Sequence, residues 1–362
     1  MNRHIRYRIA LIAALMLSCL GLAAEEQDFS NLYVRSFRAY QANTSLTSDV
    51  VNCLALDDYG RLWGGAKSGF SIHSNGEYQS YSLFEIGGER YFVRSVNSIV
   101  VGPSAVIATN EMLLNFDWRN NKFTEIRYKG EHIIASAMRI CAGKTYIFSC
   151  TEQKILVYDF ASGTLKDCVD CPPHSEFAFE SIEIPSEEGP VLLMAQTGKG
   201  VFEVNVESGD FRRIEVCGTD VSGSSLFLDE NGVMWLGVSD KGLVGYNTKK
   251  SYAEFIRFSP VDFSRDAARV VSIGRFPSGV LLVSVDGEGL FLISVADKTV
   301  DPFVEHRAKK AGCICVINDK EFFFGTKNIG LLCVKKMPVV RYIPGLSVTT
   351  VIHSRDGSGW AV

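Results

Sequence analysis

Beyond about residue 50, the chain alternates short apolar runs with turns rich in glycine and aspartate. The runs 50–56, 191–195, 280–285 and 321–324 are made mostly of Val, Leu, Ile, Phe and Ala, side chains that suit a pleated, half-buried strand. Helical periodicity sustained over ten or more residues occurs nowhere in this part of the sequence. The segment from Asp57 through Gly60 and Trp63 to Gly69-Phe70 has a near copy from Asp229 through Gly232 and Trp235 to Gly242-Leu243. Both predict strand, tight turn, strand, second turn, strand. The acid-led, glycine-ended turn supplies local side-chain bonds and a residue tolerant of positive φ.

With the tryptophan as a ruler, equivalents fall at Trp63, Val106, Tyr146, Leu192, Trp235, Leu282, Phe323 and Trp360. The seven intervals average about 42 residues. Each ruler residue is large or branched and apolar, as expected of a repeat core packed between neighbouring sheets. Four short strands in about 40–45 residues is the spacing of a β-propeller blade. Helical solenoids need longer helices, leucine-rich repeats are shorter, and paired β-sandwiches would not hold a register over seven intervals. The predicted fold is all-β: a seven-bladed propeller of four-stranded antiparallel blades over 29–345. An extra strand is expected within 29–37, ahead of the first blade. The tail, 346–362, is expected to begin a further repeat or to supply ring-closing strands, and its end just past Trp360 is read as a truncation.

The first 24 residues read differently. Arg3, Arg6 and Arg8 precede an uncharged run ending at Glu25-Glu26, with Ala23 and Ala24 as small residues for cleavage. This is the form of an export signal. Its sixteen-residue apolar run is short for a span, and Cys19 follows only a loose lipoprotein-like box; a retained anchor and a lipoprotein are the alternatives. The expected location is the periplasm. Formal charge is −4, falling to about −7 without the three leader arginines, so the basic footprint of nucleic-acid binding is missing.

Chemistry-bearing motifs are scarce. The six histidines are scattered, and neither a His-Glu-x-x-His nor a Gly-x-Ser-x-Gly sequence is present. Asp229-Glu-Asn231-Gly232 reads as a hairpin turn, since the later bidentate acid of a calcium loop is absent. Nine cysteines follow the leader, an odd count at irregular spacing. Cys53, Cys141, Cys150, Cys313, Cys315 and Cys333 sit in apolar runs as small hydrophobes. Cys168 and Cys171 alone have metal-ligand spacing, but four ligands are needed; they read as a loop disulfide or two free thiols. No catalytic residue, metal or cofactor is expected.

The Asp-x-x-Gly-x-Leu/Met-Trp core followed by Gly-Leu/Phe resembles the two-component-regulator propeller repeat, most closely at Trp63–Phe70, at Trp235–Leu243 and at Phe323-Phe-Gly-Thr326 with Gly330-Leu331. The resemblance implies the N-terminal, periplasmic sensor region of a hybrid two-component system responding to oligo- or polysaccharides. It also implies a longer, inner-membrane-anchored parent with a further propeller and a histidine kinase. The expected partners are that saccharide, those domains and a second copy in a homodimer. A free-standing binding or scaffold propeller is the alternative, and a propeller lyase or glycosidase the less favoured one. Recurrence at one blade position marks Trp63 and Trp235 as packing residues, not sugar platforms. Ligand candidates therefore fall in loops, which a rigid scaffold leaves free to specialise. The second-to-third-strand loops carry Lys67, Asn110, Glu111, Glu152, Gln153, Lys199, Asp240, Lys241, Asp286, Glu288, Lys327 and Asn328, expected to ring one mouth of the channel. Arg90, Tyr91, Arg94, Arg265 and Arg269 are expected in loops between blades.

Overall fold

The computed structural model describes residues 32–37, 351–353, 359–361 and 46–336, the last without 75–76, 142, 150, 153, 171–179, 185–190, 197–199, 215–222, 230, 239–241, 248–251, 257–269 and 304. The export signal lies outside the described residues. Among them, no helix is long and apolar enough to cross a membrane.

Seven small antiparallel sheets make a seven-bladed propeller. Blade 1 comprises Val51–Leu56, Leu62–Ala66, Gly69–Ser74 and Glu77–Tyr81; blade 2 comprises Val96–Val101, Ala105–Thr109, Leu113–Asp117 and Lys122–Tyr128, with the short Glu131–His132 added outside. Blade 3 runs from Ala135–Cys141 to Thr164–Asp170, blade 4 from Glu180–Ile184 to Phe211–Ile214, blade 5 from Gly223–Leu228 to Tyr252–Ile256, and blade 6 from Val270–Arg275 to Thr299–Pro302. Blade 7 takes Ala311–Asn318, Glu321–Thr326 and Leu331–Lys336 from its own repeat. Its fourth, outermost strand is Leu32–Phe37, so the strand expected ahead of blade 1 completes the last blade. Each blade's first strand adjoins the first strands of its neighbours, and Ala311–Asn318 meets Val51–Leu56 to complete the circuit. In the tail, Val351–His353 pairs with Gly359–Ala361 as a separate two-stranded hairpin that includes Trp360.

The repeated motif is a hydrogen-bonded clasp. The Asp57 carboxylate accepts from the backbone N–H groups of Tyr59 (3.0 Å) and Arg61 (2.9 Å), from Arg61 Nε (2.6 Å) and from Trp63 Nε1 (2.9 Å). Asp229 does the same for Asn231 N (2.8 Å), Val233 N (3.0 Å) and Trp235 Nε1 (3.1 Å). One buried acid thus fixes the turn between the first two strands and satisfies an indole N–H that packing has removed from water. Blade 6 keeps the turn's backbone bonds at Phe276 and Gly279 but loses the acid and the indole together: buried Phe276 replaces Asp, and Leu282 needs no acceptor.

The small residue two places after the ruler position is a socket for the next blade. A Cβ on Gly65 would lie 2.6 Å from Val96 Cγ1, one on Gly237 2.5 Å from Val270 Cβ, and one on Gly325 2.6 Å from Val51 Cγ1. Each valine opens the first strand of the following blade. In blade 6 the socket holds Ser284, whose Oγ donates to Ala311 O at 2.8 Å. Gly237→Ala is accordingly expected to cost about 2 kcal/mol in urea unfolding. Combined with Val270→Ala, the loss should be less than additive; a strictly additive cycle would show that the two positions do not compete for space.

Of the ruler residues, Trp63, Val106 and Leu282 are fully buried, and Tyr146 and Trp235 nearly so. Phe323 is half-buried against a cluster of Leu46, Val51 and Leu62 at the seam of blades 7 and 1. Leu192 is fully buried but stands one place out of register with the other rulers. In blades 1, 5 and 6 the ruler residue pairs with the third residue after the glycine that opens the third strand, as Trp63 does with Ile72, Trp235 with Gly245 and Leu282 with Leu292. In blade 4 that partner is Glu203, and it pairs with Leu193. Leu192 packs backwards on Tyr146, Phe148 and Ile155 of blade 3. The opening glycine follows the ruler by seven residues at Trp235, Leu282 and Phe323 but by eight at Leu192, and a one-residue slip reverses the face.

The cysteines behave as small hydrophobes where they are described. Burial pushes the Cys53 thiol up to about 12 and Cys315 to about 11, which keeps both protonated and unreactive. Cys168 Sγ donates to Val206 O at 3.4 Å; Cys171 lies outside the described residues.

Candidate functional site

Up-and-down strand order puts the second-to-third-strand loops and the connections between blades at the same end of the sheets. Several of these loops rest on a hydroxyl at the last position of the second strand. Thr109 Oγ1 accepts from Glu111 N (3.2 Å) and Met112 N (2.9 Å) and donates to Met112 O (2.8 Å). Thr326 Oγ1 accepts from Ile329 N (2.8 Å) and donates to Gly330 O (2.9 Å), while Ser149 Oγ accepts from Glu152 N (3.1 Å). The threonine after the glycine in Phe323-Phe-Gly-Thr326 is therefore a loop cap.

Backbone bonds stitch these loops to the blade connections. Lys67 N donates to Val50 O and its carbonyl accepts from Ser95 N; Asn110 N donates to Ser95 O; Lys327 N donates to Lys310 O. The side chains of Lys67, Asn110, Glu111, Glu152, Asp286, Lys327 and Asn328 are exposed, and Glu288 is half-buried. Two of the expected cations are matched across the surface. Arg94 Nη1 lies 3.2 Å from Glu111 Oε1, and Lys327 Nζ lies 2.8 Å from Asp286 Oδ1, bridging blades 6 and 7. Exposed pairs of this kind add about 0–1 kcal/mol of stability and leave the charged groups within a ligand's reach. Gln153, Lys199, Asp240, Lys241, Arg265 and Arg269 lie outside the described residues. Among the described residues, no cluster of His, Cys, Asp and Glu is arranged to hold a metal.

Arg90 and Tyr91 do not lie in a loop. They belong to a β-hairpin, Leu83–Ile86 paired with Glu89–Phe92, inserted between blades 1 and 2. Gly87 (φ 63°) and Gly88 (φ 88°) form its two-residue turn, both in the left-handed region that such hairpins require. The Gly-Gly between two alternating stretches was the sequence signal for it. Tyr91 is a packing residue: its ring stacks on Phe84 at 5.5 Å, and its hydroxyl donates to Glu89 Oε2 at 2.7 Å. Arg90 is exposed.

No known family model matches the chain, and no curated protein does. Solved structures do resemble it. The extracellular domain of the hybrid two-component system BT4673 of B. thetaiotaomicron superposes with a TM-score of 0.64 at 14% identity, over 91% of this chain and 44% of that one. The extracellular domain of BT3049, a hybrid two-component system of the same organism, gives 0.61 at 16%, over 87% and 45%. Virginiamycin B lyase from Staphylococcus aureus gives 0.65 at 10%, over 84% of this chain and 100% of its own. The chain thus spans under half the length of the two-component ectodomains. It is a seven-bladed β-propeller, similar in fold to those extracellular domains and to that lyase.

Proposed function

We propose that this chain is the ligand-sensing propeller of an exported hybrid two-component sensor, binding an oligo- or polysaccharide in the periplasm and catalysing nothing itself. Kinase activity belongs, in this reading, to further domains of a longer parent. The observation that carries it is the likeness to two such extracellular domains over 91% and 87% of the chain. The Asp–Trp clasps of blades 1 and 5 add to it, because they give a structural reason for the motif shared with the two-component-regulator repeat. The exposed polar loops at one end of the blades supply hydroxyl-binding groups on a rigid frame. A lyase reading draws on the same fold through the virginiamycin B enzyme.

Isothermal titration of the purified protein against a panel of neutral and acidic oligosaccharides tests the proposal. Saturable heat with one class, and no product after prolonged incubation, is the expected result. Silence across the whole panel, or progressive cleavage of any member, would overturn it.

A further inference from the structure

The hairpin insertion interrupts the repeat, and its alternation sorts its residues onto two faces. Phe84 and Tyr91 are cross-strand partners on one face, and Phe84 lies 5.2 Å from Phe123 of blade 2. Leu83, Glu85, Arg90 and Phe92 share the other. Beside the outer strand of blade 2 lies a cleft of about 440 Å³, within the range of small-molecule sites. Its lining residues include Tyr81, Phe84 and Phe123, whose rings are buried in the core of blades 1 and 2, and the exposed Leu83, Glu85, Arg90 and Lys122. Among the described residues, neither Arg90 nor Lys122 forms an ion pair, and Glu85 is the one carboxylate among the cleft's lining residues; Asp117, across the strands from Lys122, lies outside the lining. Phe92, on the hairpin face that carries Arg90, is 74% exposed. Folding gains little from a phenyl ring left in water beside two unmatched cations.

We propose that this cleft is a subsite for an acidic sugar unit, a uronate or a sulfated hexose, within the sensed saccharide. The exposed Leu83 and its cross-strand partner Phe92 suit the apolar face of a pyranose. Arg90 and Lys122 suit its carboxylate or sulfate, the guanidinium by a bidentate pair and the ammonium as a point charge. Glu85 accepts from ring hydroxyls. The inference rests on the saccharide-sensing reading and assigns it a charge and a place.

The test is calorimetry on the full chain with tetragalacturonate, its methyl ester, a sulfated oligosaccharide and a neutral oligosaccharide. An acidic probe should bind, and added salt should weaken it. Where tetragalacturonate binds, the ester should bind about tenfold more weakly or not at all. Arg90→Ala and Lys122→Ala should each weaken the acidic probe about tenfold or more, with Arg90→Lys intermediate. Both side chains are exposed, so melting temperatures should stay at the parent value, separating lost binding from lost fold. Acidic binding unchanged in both alanine variants, or binding of the neutral probe alone, overturns the subsite and leaves the sensing reading standing. Failure of every probe overturns both.

Discussion

Asp57→Ala is expected to destabilise the protein by about 3–4 kcal/mol, the largest loss from any single side chain considered. The substitution orphans the indole N–H of fully buried Trp63, two turn N–H groups and the guanidinium of Arg61. Breaking a buried charged network from one side costs more than the network itself contributes. Arg61 also lies over Trp118 at 4.9 Å and Trp63 at 5.6 Å, so its displacement should loosen the seam between blades 1 and 2. Asp229→Ala should cost at least about 1 kcal/mol less, because blade 5 carries Val233 where blade 1 has Arg61. In a Trp63→Phe background the Asp57→Ala penalty should shrink by about 1 kcal/mol. Urea unfolding of these variants decides the matter; a loss below about 1 kcal/mol for Asp57→Ala would mean that water satisfies the orphaned groups. Burial works against ionisation of Asp57, but the bonds from Trp63 and Arg61 together with the Arg61 charge outweigh it and hold the carboxyl below its usual 3.8. Its contribution is therefore complete above that value and is lost as pH falls below it.

A second, earlier acid transition should come from His73. Its imidazole is 7% exposed, with a nitrogen 2.8 Å from Ser71 Oγ and its ring edge-on to Tyr78 at 4.6 Å. Burial pushes it down to about 4 from an ordinary 6.5. Between those values the unfolded chain binds the extra proton, so stability rises with pH, is complete above the ordinary value, and is lost on acidification toward about pH 4. The expected loss between about pH 7 and about pH 4.5 is roughly 2–3 kcal/mol. His73→Gln keeps a polar partner for Ser71 but cannot titrate, and its unfolding midpoint should be nearly level over that interval. An equally steep acid loss in the Gln variant would place the titrating group elsewhere.

The period was legible in the sequence because the clasp needs the same donor and acceptor each time. An acid six residues before an indole, with glycine between, is a hydrogen-bond requirement written out twice, and the valine sockets account for the small residue that follows. Where the bond is dispensed with, as at Phe276 and Leu282, the motif fades although the turn persists. Register was less legible. Leu192 and Leu193 are chemically alike, and the signal that separates them is the distance to the opening glycine, eight residues from Leu192 against seven at Trp235, Leu282 and Phe323. The hairpin of Arg90 and Tyr91 stands outside the repeat, so the period does not predict it, and its signal is the local Gly87-Gly88 pair alone. Of the candidate site, exposure could be read from residue type and loop position. The matching of Arg94 with Glu111 and of Lys327 with Asp286 could not, since each pair depends on loops brought together by the fold.

The strand Leu32–Phe37, which finishes blade 7, has a consequence for how the molecule matures. A chain delivered from its N-terminus presents this strand first and its partner, Leu331–Lys336, last. Throughout synthesis, the early strand must remain uncommitted while six sheets form behind it. Until then both are bare edges able to recruit strands from other chains. Latching is a long-range step, slow by its topology, and once made it leaves the circuit without a loose blade from which to unravel.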